Sequence, residues 1–551
     1  MKKVLSTLMA TVLSLTACAA LGACGGKEND PNTIYVYNFN GGYGSAWLEK
    51  AKIAYETLHP DITVKINKQK PLSALSSTDV ATGRDELWFS DMTPYYTFWA
   101  DGVVDSISTA LTTPNPYDDG KTIESKLSDS QKQFFKINGG DYYAVPHYSG
   151  FMGLVYNVDT FEQNGFYIKK DKPNVPYAQD PDGYFTSYPD EFSDGPDGED
   201  GTYDDGLPAT YEEFLYLLDF MSKCGLIYTD GKSPLIGTGA NNEQYFGETM
   251  YSFMTDYMGY DQMMLNFTFD GNATSLGKIV DGEFVLDSQP TMIENGNGYE
   301  LARQAGKYYT YDLFNKIFSN KNYYDETVMA SSTFTVQDAS RRLARGEAGV
   351  LMEGVWWEGD SENVFWNLGQ KTKHDYRFAV MPFPKATADK VGTKTTLYDH
   401  LFSTCFMKKG LSEDKKAKVY DFIQFVYSDA QLVEFTATTG TLKALNYEIP
   451  EPALAGLTHY EKTLVDYYQK SDVLYPCSSN PLYVNNNNTA FRSYYYMAGE
   501  VNGKSYENPI TYFVDDRING VVKNFSAIDY FNGSVNYYKG TWAKSFGKYI
   551  N

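Results

Sequence analysis

Between Asp194 and Asp205 the chain reads Asp-Gly-Pro-Asp-Gly-Glu-Asp-Gly-Thr-Tyr-Asp-Asp, five aspartates and one glutamate on a backbone interrupted by glycines. Hard carboxylate oxygens on a turning backbone suit Ca2+. Asp194, Asp197, Glu199, Asp200, Asp204 and Asp205 are therefore candidate ligands of a structural calcium ion, although their spacing is not that of an EF-hand and a solvated acidic loop has the same composition. A second cluster, Asn40-Gly-Gly-Tyr-Gly44, lacks the Lys-Ser/Thr that a phosphate loop needs. Its Asn40, Gly42 and Tyr43 instead offer amide and backbone groups to hydroxyls. Paired carboxylates would serve glycoside hydrolysis, but with 70 acidic residues no pair stands out. Cys224, Cys405 and Cys477 permit one disulfide at most and match no zinc spacing.

The N-terminus carries a different kind of chemistry. Met1-Lys2-Lys3, an apolar run and Leu21-Gly-Ala-Cys24 have the build of a bacterial lipoprotein signal, in which residues 1–23 are removed and Cys24 receives the lipid. Leu15-Thr-Ala-Cys18 fits the same pattern, but Ala19 to Ala23 is still apolar whereas 24–32 reads as a tether. The apolar run is about long enough to cross a bilayer, yet it contains Ser6, Thr7, Thr11, Ser14 and Thr16 and lacks a stop-transfer flank. The expected location is extracytoplasmic, with a lipid anchor in the cell membrane.

The formal charge of −23 argues against binding nucleic acid or anionic lipid surfaces. A length of 551 residues exceeds what a single core supports. Tyrosine is abundant, 48 residues beside 33 Phe and 7 Trp. Its flat apolar face and polar rim suit stacking on sugars and equally suit any wet surface.

These groups need elements to position them. Thr33–Phe39 alternates β-branched and aromatic residues as a strand does. Asn40–Gly44 turns the chain, and Ser45 is placed to cap a helix to about Leu58. Asp61–Ile66 is the next strand, giving β-α-β and the start of an open α/β sheet. Strands are expected over 85–90, 142–146, 153–157, 348–352 and 378–382, with helices over 91–100, 158–164, 243–264, 298–318 and 336–345. Regular structure is absent over 171–206. Thr210 and Glu213 then form a capping box, and Ser412 caps a later helix. The last hundred residues read as short helices and turns.

The order of these pieces resembles the bacterial extracellular solute-binding proteins of carbohydrate ABC importers, the family that includes maltose-binding protein. The resemblance covers about residues 33–500. It rests on the Gly-rich turn, on Tyr142-Tyr-Ala-Val-Pro146 followed by Gly153-Leu-Val-Tyr-Asn157, on Leu207-Pro-Ala-Thr-Tyr-Glu-Glu-Phe214, and on Leu343-Ala-Arg-Gly-Glu-Ala-Gly-Val-Leu-Met-Glu-Gly-Val-Trp356. The resemblance implies an α/β, two-lobed, type II periplasmic-binding-protein-like fold whose ligand cleft lies between open mixed sheets flanked by helices. It implies a first lobe of 33–148 and 396–450, a second lobe of 149–395 containing the 171–206 insertion, and C-terminal helices over 451–551 bracing both.

By the same resemblance Trp356 stacks on a sugar ring, with Trp357 as the neighbouring alternative. Phe89, Ser90 and Asp91 end the third strand at the cleft, where Asp91 would accept sugar hydroxyls. Tyr148 sits at the lobe crossing, and Glu353, Tyr398 and His400 complete the candidate ligand set. The implied activity is capture of a carbohydrate, an oligosaccharide by expectation, and its delivery to transmembrane permease subunits. The expected molecule is a monomer, non-enzymatic and needing no cofactor. A secreted glycoside hydrolase and a surface lectin or adhesin are the alternatives.

Overall fold

Thr33–Phe39 is buried along nearly its whole length because both of its faces are covered. It pairs in parallel with Thr63–Gln69 on one side and Leu87–Ser90 on the other, and helix Ala46–Leu58 makes the crossover between the first two. In this computed structural model, which describes residues 30–550 apart from 70–74, 92, 94, 227–230, 238–241, 330, 332, 400, 402, 477, 487–496 and 522–525, the sheet continues through a strand from much later in the chain. Thr404–Lys408 lies antiparallel to Leu87–Ser90 and also pairs with Val104–Asp105 and Ala144–Pro146.

A second sheet has the order Ser233–Ile236, Ala348–Gly354, Met152–Asn157, Phe378–Met381. The first pair is parallel, and Met152–Asn157 is antiparallel to both of its neighbours. These strands are buried along their whole length and are mostly apolar, as sheets covered on both faces require. The architecture is two mixed α/β sheets, each flanked by helices. A short antiparallel ribbon, Tyr148–Ser149 against Leu442–Lys443, lies where the chain passes between them.

Local chemistry explains most boundaries. Asn157 caps Val158–Asn164 by accepting from the Asp159 and Thr160 N–H groups, and Gly165 ends it at φ 64°. Ser412 caps Glu413–Val426 as expected. Two caps differ from expectation. Ser45 makes no side-chain cap hydrogen bond. Thr210 accepts from Glu213 N, but the Glu213 carboxylate accepts from Ala209 N at 2.8 Å and pairs with Lys172, so the reciprocal half of the box is missing.

The helical region 242–268 contains a break at Gly259, with φ 72°. Helix Ala527–Phe546 is longer than the short elements expected near the C-terminus, and it packs on Gly298–Arg303 and Ala305–Ser319. Within the 171–206 insertion, Phe185–Thr186 pairs with Tyr167–Ile168. Among the described residues no helix is long and apolar enough to cross a membrane. The signal segment with Cys24, His400 and Cys477 lie outside the described residues, while Cys224 and Cys405 are free thiols.

Candidate functional site

Asn38 fixes the Gly-rich turn from beneath, its amide donating to the carbonyls of Phe39 and Gly44 at 3.1 Å each. Gly44 turns the chain at φ 64°. This sets Gly42 against the turn that follows strand Ala348–Gly354 of the other sheet. A Cβ on Gly42 would lie 2.3 Å from the Trp356 Cβ, and one on Gly359 would lie 2.3 Å from the Gly42 carbonyl oxygen. The Gly-rich turn and the Trp356 turn therefore meet across the cleft with no room for a side chain.

Around that meeting point aromatic and acidic groups converge. Trp356 is half-buried, its ring edge-on to Tyr245 with centroids 6.4 Å apart. Tyr43 is buried, packs on the Tyr148 ring at 4.5 Å and directs its hydroxyl toward Asp91 at 3.5 Å. Burial, then the Asp91 charge, pushes both phenols well above their usual range. The Tyr148 hydroxyl is buried without a hydrogen-bond partner among the described residues. Asn40 is exposed at the start of the turn, its N–H donating to the Gln69 carbonyl.

Glu353 ends its strand fully buried. One carboxyl oxygen accepts from Gly354 N at 3.0 Å and the other has no hydrogen-bond partner among the described residues. Burial holds it well above the usual carboxylate range, and the charges of Asp360 and Glu248 add to the effect. The chemistry gathered here is one half-open indole, phenol rims and two carboxyl groups, those of Asp91 and Glu353. Such a set suits a polyhydroxylated solute, with apolar ring faces for C–H groups and polar groups for hydroxyls.

Four expected contacts lie elsewhere. Phe89 is fully buried beneath the cleft, edge-on to Trp47 at 5.1 Å, because strand alternation turns it into the sheet. Its neighbour Ser90 is also buried, its hydroxyl donating to the Asp91 carbonyl at 3.3 Å. Trp357 is fully buried, its indole N–H donating to Ser340 Oγ at 2.8 Å and its ring set against Phe378 and Tyr460. Tyr398 is buried against Tyr251, ring centroids 4.6 Å apart.

The sequence reading missed Tyr245, Glu248 and Asp360, which surround Glu353 and Trp356, and it missed a buried cluster behind the turn. There the Lys443 amine lies 2.6 Å from His147 Nδ1 and faces the rings of Trp47 at 4.4 Å, Phe435 at 4.6 Å and Tyr427 at 4.9 Å. Burial pushes both Lys443 and His147 well below their usual values. Asp399 accepts from Ser149 Oγ at 2.8 Å beside the ribbon. No local motif announces these residues; only the fold joins them.

The acidic loop is organised on itself. Asp197 N donates to Asp204, Glu199 N to Asp197, and Gly201 N and Thr202 N to Asp205. Thr202 Oγ1 donates to Asp204 at 2.8 Å. Among the described residues no three His, Cys, Asp or Glu side chains stand close enough to hold one metal ion. Asp194 and Asp200 do not join the network of carboxylates that accept these loop hydrogen bonds.

No protein-family model matches the sequence, and no curated protein matches it. Solved structures do match in fold. The GacH receptor of Streptomyces glaucescens, solved unliganded and with acarbose, is 13% identical over 92% of this chain and 97% of its own, with a TM-score of 0.52. Maltose-bound MalE3 of T. maritima is 13% identical over 92% of this chain and 99% of its own, at 0.51. The apo form of RafE from Streptococcus pneumoniae is 14% identical over 94% of this chain and 100% of its own, also at 0.51. Two mixed α/β sheets, a ribbon between them and a cleft closed by Gly42 on Trp356 are thus the two-lobed fold of these solute receptors.

Proposed function

We propose that this chain is an extracytoplasmic receptor that captures a carbohydrate between its lobes and hands it to the permease of an ABC importer, held at the membrane by a lipid on Cys24. The observation that carries the reading is the convergence of Trp356, Tyr43, Asp91 and Glu353 where the Gly-rich turn of one sheet meets the Trp356 turn of the other. The fold neighbours support it, being proteins described with acarbose and with maltose. The work is lobe closure driven by tighter binding to the closed state, with no bond made or broken. In this reading the residues that touch solute are Trp356, Tyr43, Tyr148, Asp91 and Glu353, with Asn40 and Gly42 lining the turn.

Isothermal titration and thermal-shift measurements against mono- and oligosaccharides, with product analysis of every binding sugar, test the reading. Binding without turnover supports it. Turnover of any sugar, or the absence of any binding event that Trp356→Ala removes, overturns it.

A further inference from the structure

The ribbon between the lobes has two faces, and each looks onto a different space. Tyr148 pairs with Lys443, and Ser149 with Leu442. Side chains alternate along a strand, so Tyr148 and Lys443 share the face turned to the cleft, where Tyr148 meets Tyr43 and Lys443 meets His147. Leu442 and Ala444, on either side of Lys443, turn the other way and line a cavity of about 630 Å3.

The walls of that cavity come from both lobes. Ser128 and Gln131 stand on the first-lobe helix Asp129–Phe135 and the residue before it, and Tyr260 and Asp261 on the second-lobe helical region 242–268. Tyr447, Tyr468 and Gln469 line it near the ribbon, and the ion pair of Lys394 with Asp472 lines it as well. At the rim the Ser130 and Tyr260 hydroxyls meet at 2.9 Å, a direct link from lobe to lobe.

Two features point to the chemistry of an occupant. The hydroxyls of Tyr260 and Tyr447 are engaged, the first by Ser130 and the second by Thr436 and the Lys443 N–H, which leaves their ring faces for the cavity. The side chains of Asn446, Gln469 and Asp261 line the same space and make no hydrogen bond or ion pair among the described residues. Flat aromatic faces beside uncommitted amides and a carboxylate fit a sugar, whose ring offers an apolar face and a rim of hydroxyls. The volume lies in the range of small-molecule sites and admits roughly one or two sugar rings.

We propose that this cavity is a second saccharide site, on the opposite side of the hinge from the cleft, whose occupant holds the lobes closed. The proposal rests on the reading of the cleft as the place where the lobes shut on solute. The cavity and the cleft lie on opposite faces of the ribbon, so closing the cleft on Gly42 and Trp356 moves the walls behind it toward a spread form and opening the cleft narrows the space. A molecule that fits the spread form therefore favours closure, and by linkage raises the affinity of the cleft by the same factor that cleft solute raises its own.

The test is titration of the full chain with galactose, maltose and raffinose, in the native protein and in Trp356→Ala, Asn446→Trp and Gln469→Trp, each checked for a native melting transition. Asn446 and Gln469 are exposed on the cavity wall, so either indole fills the space if the other variant folds poorly. The expected result is two binding events in the native protein, one lost in Trp356→Ala and the other persisting there and lost in the two filled variants, with a smaller radius of gyration by small-angle scattering when Trp356→Ala is saturated. Where a second sugar occupies the cleft, its affinity rises about fivefold or more, the lower end of ordinary coupling. Binding lost only in Trp356→Ala overturns this proposal and leaves the receptor reading standing. Binding lost only in the filled variants supports the cavity and removes the cleft as the site for these sugars. No binding sensitive to Asn446 or Gln469 by any of the three overturns the proposal.

Discussion

Gly42 and Trp356 meet backbone to backbone across the cleft, with a Cβ on Gly42 only 2.6 Å from the Trp356 carbonyl oxygen. The contact exists only while the lobes are together. Alanine at 42 is free of it when they are apart, and Gly42 is not at positive φ, so the backbone tolerates the methyl group. Overpacking of a close contact costs about 1–3 kcal/mol. Gly42→Ala is expected to weaken solute binding about tenfold, with the melting temperature of the unliganded chain nearly unchanged. Titration beside a thermal melt measures both, and undiminished affinity would show that the bound state keeps the turns apart.

The adjacent tryptophans separate stability from binding. Trp357→Ala removes a fully buried ring and its hydrogen bond to Ser340, at a cost of about 3–5 kcal/mol. Trp356→Ala truncates a half-buried ring at the cleft and is expected to abolish binding in the cleft at little cost in stability. Denaturant unfolding of the two variants ranks them; equal destabilisation would mean that both rings are core.

Glu358 gives the second lobe a pH dependence of stability. Burial, then the charge of Glu461, pushes its carboxyl up to about 8 from an ordinary value of 4.5, while Thr458 donates to it at 2.7 Å. The folded state thus keeps a proton that the unfolded chain releases. This contribution is complete below about pH 4.5 and is lost as pH rises toward 8. Glu358→Gln, which cannot ionise, is expected to raise the melting temperature more at pH 8 than at pH 5. A gain of equal size at both would place the ionised form in a better-solvated setting.

Asp204 behaves in the same direction over a lower range. Burial pushes it up to about 6 from 3.8, so its contribution to stability falls as pH rises between those values. Because Asp197, Asp204 and Asp205 already accept the loop's own N–H and hydroxyl groups, EDTA is expected to leave the melting temperature unchanged, and Asp204→Asn to raise it at pH 7. A calcium-dependent rise abolished in Asp204→Asn would instead show that the loop rearranges around the ion.

The parallel start of the first sheet, the Ser412 cap and the extent of helix Val158–Asn164 were legible because each is written in adjacent residues. Trp356 and Trp357 were not distinguishable, since two neighbouring indoles after a buried strand differ only in which way the turn throws them. Phe89 failed for a related reason: the end of a strand was correctly placed at the cleft, but alternation within the strand decides which residue looks out. Tyr245, Glu248 and Lys443 had no readable signal. They lie more than 90 residues from the nearest residue of the Gly-rich turn and acquire meaning only when the chain has crossed between the lobes.

Lys443 carries a consequence for experiment. Burial among aromatic rings pushes its amine well below the usual lysine range, on the ribbon between the lobes. An acylating reagent attacks only an amine it can reach, and burial closes this one off. No reagent reaches it until the ribbon parts from Trp47 and Phe435. When closing is fast compared with acylation, the rate at which mass spectrometry finds Lys443 modified is proportional to the fraction of molecules momentarily open. The residue is a built-in chemical clock for breathing at the hinge, readable without attaching a probe.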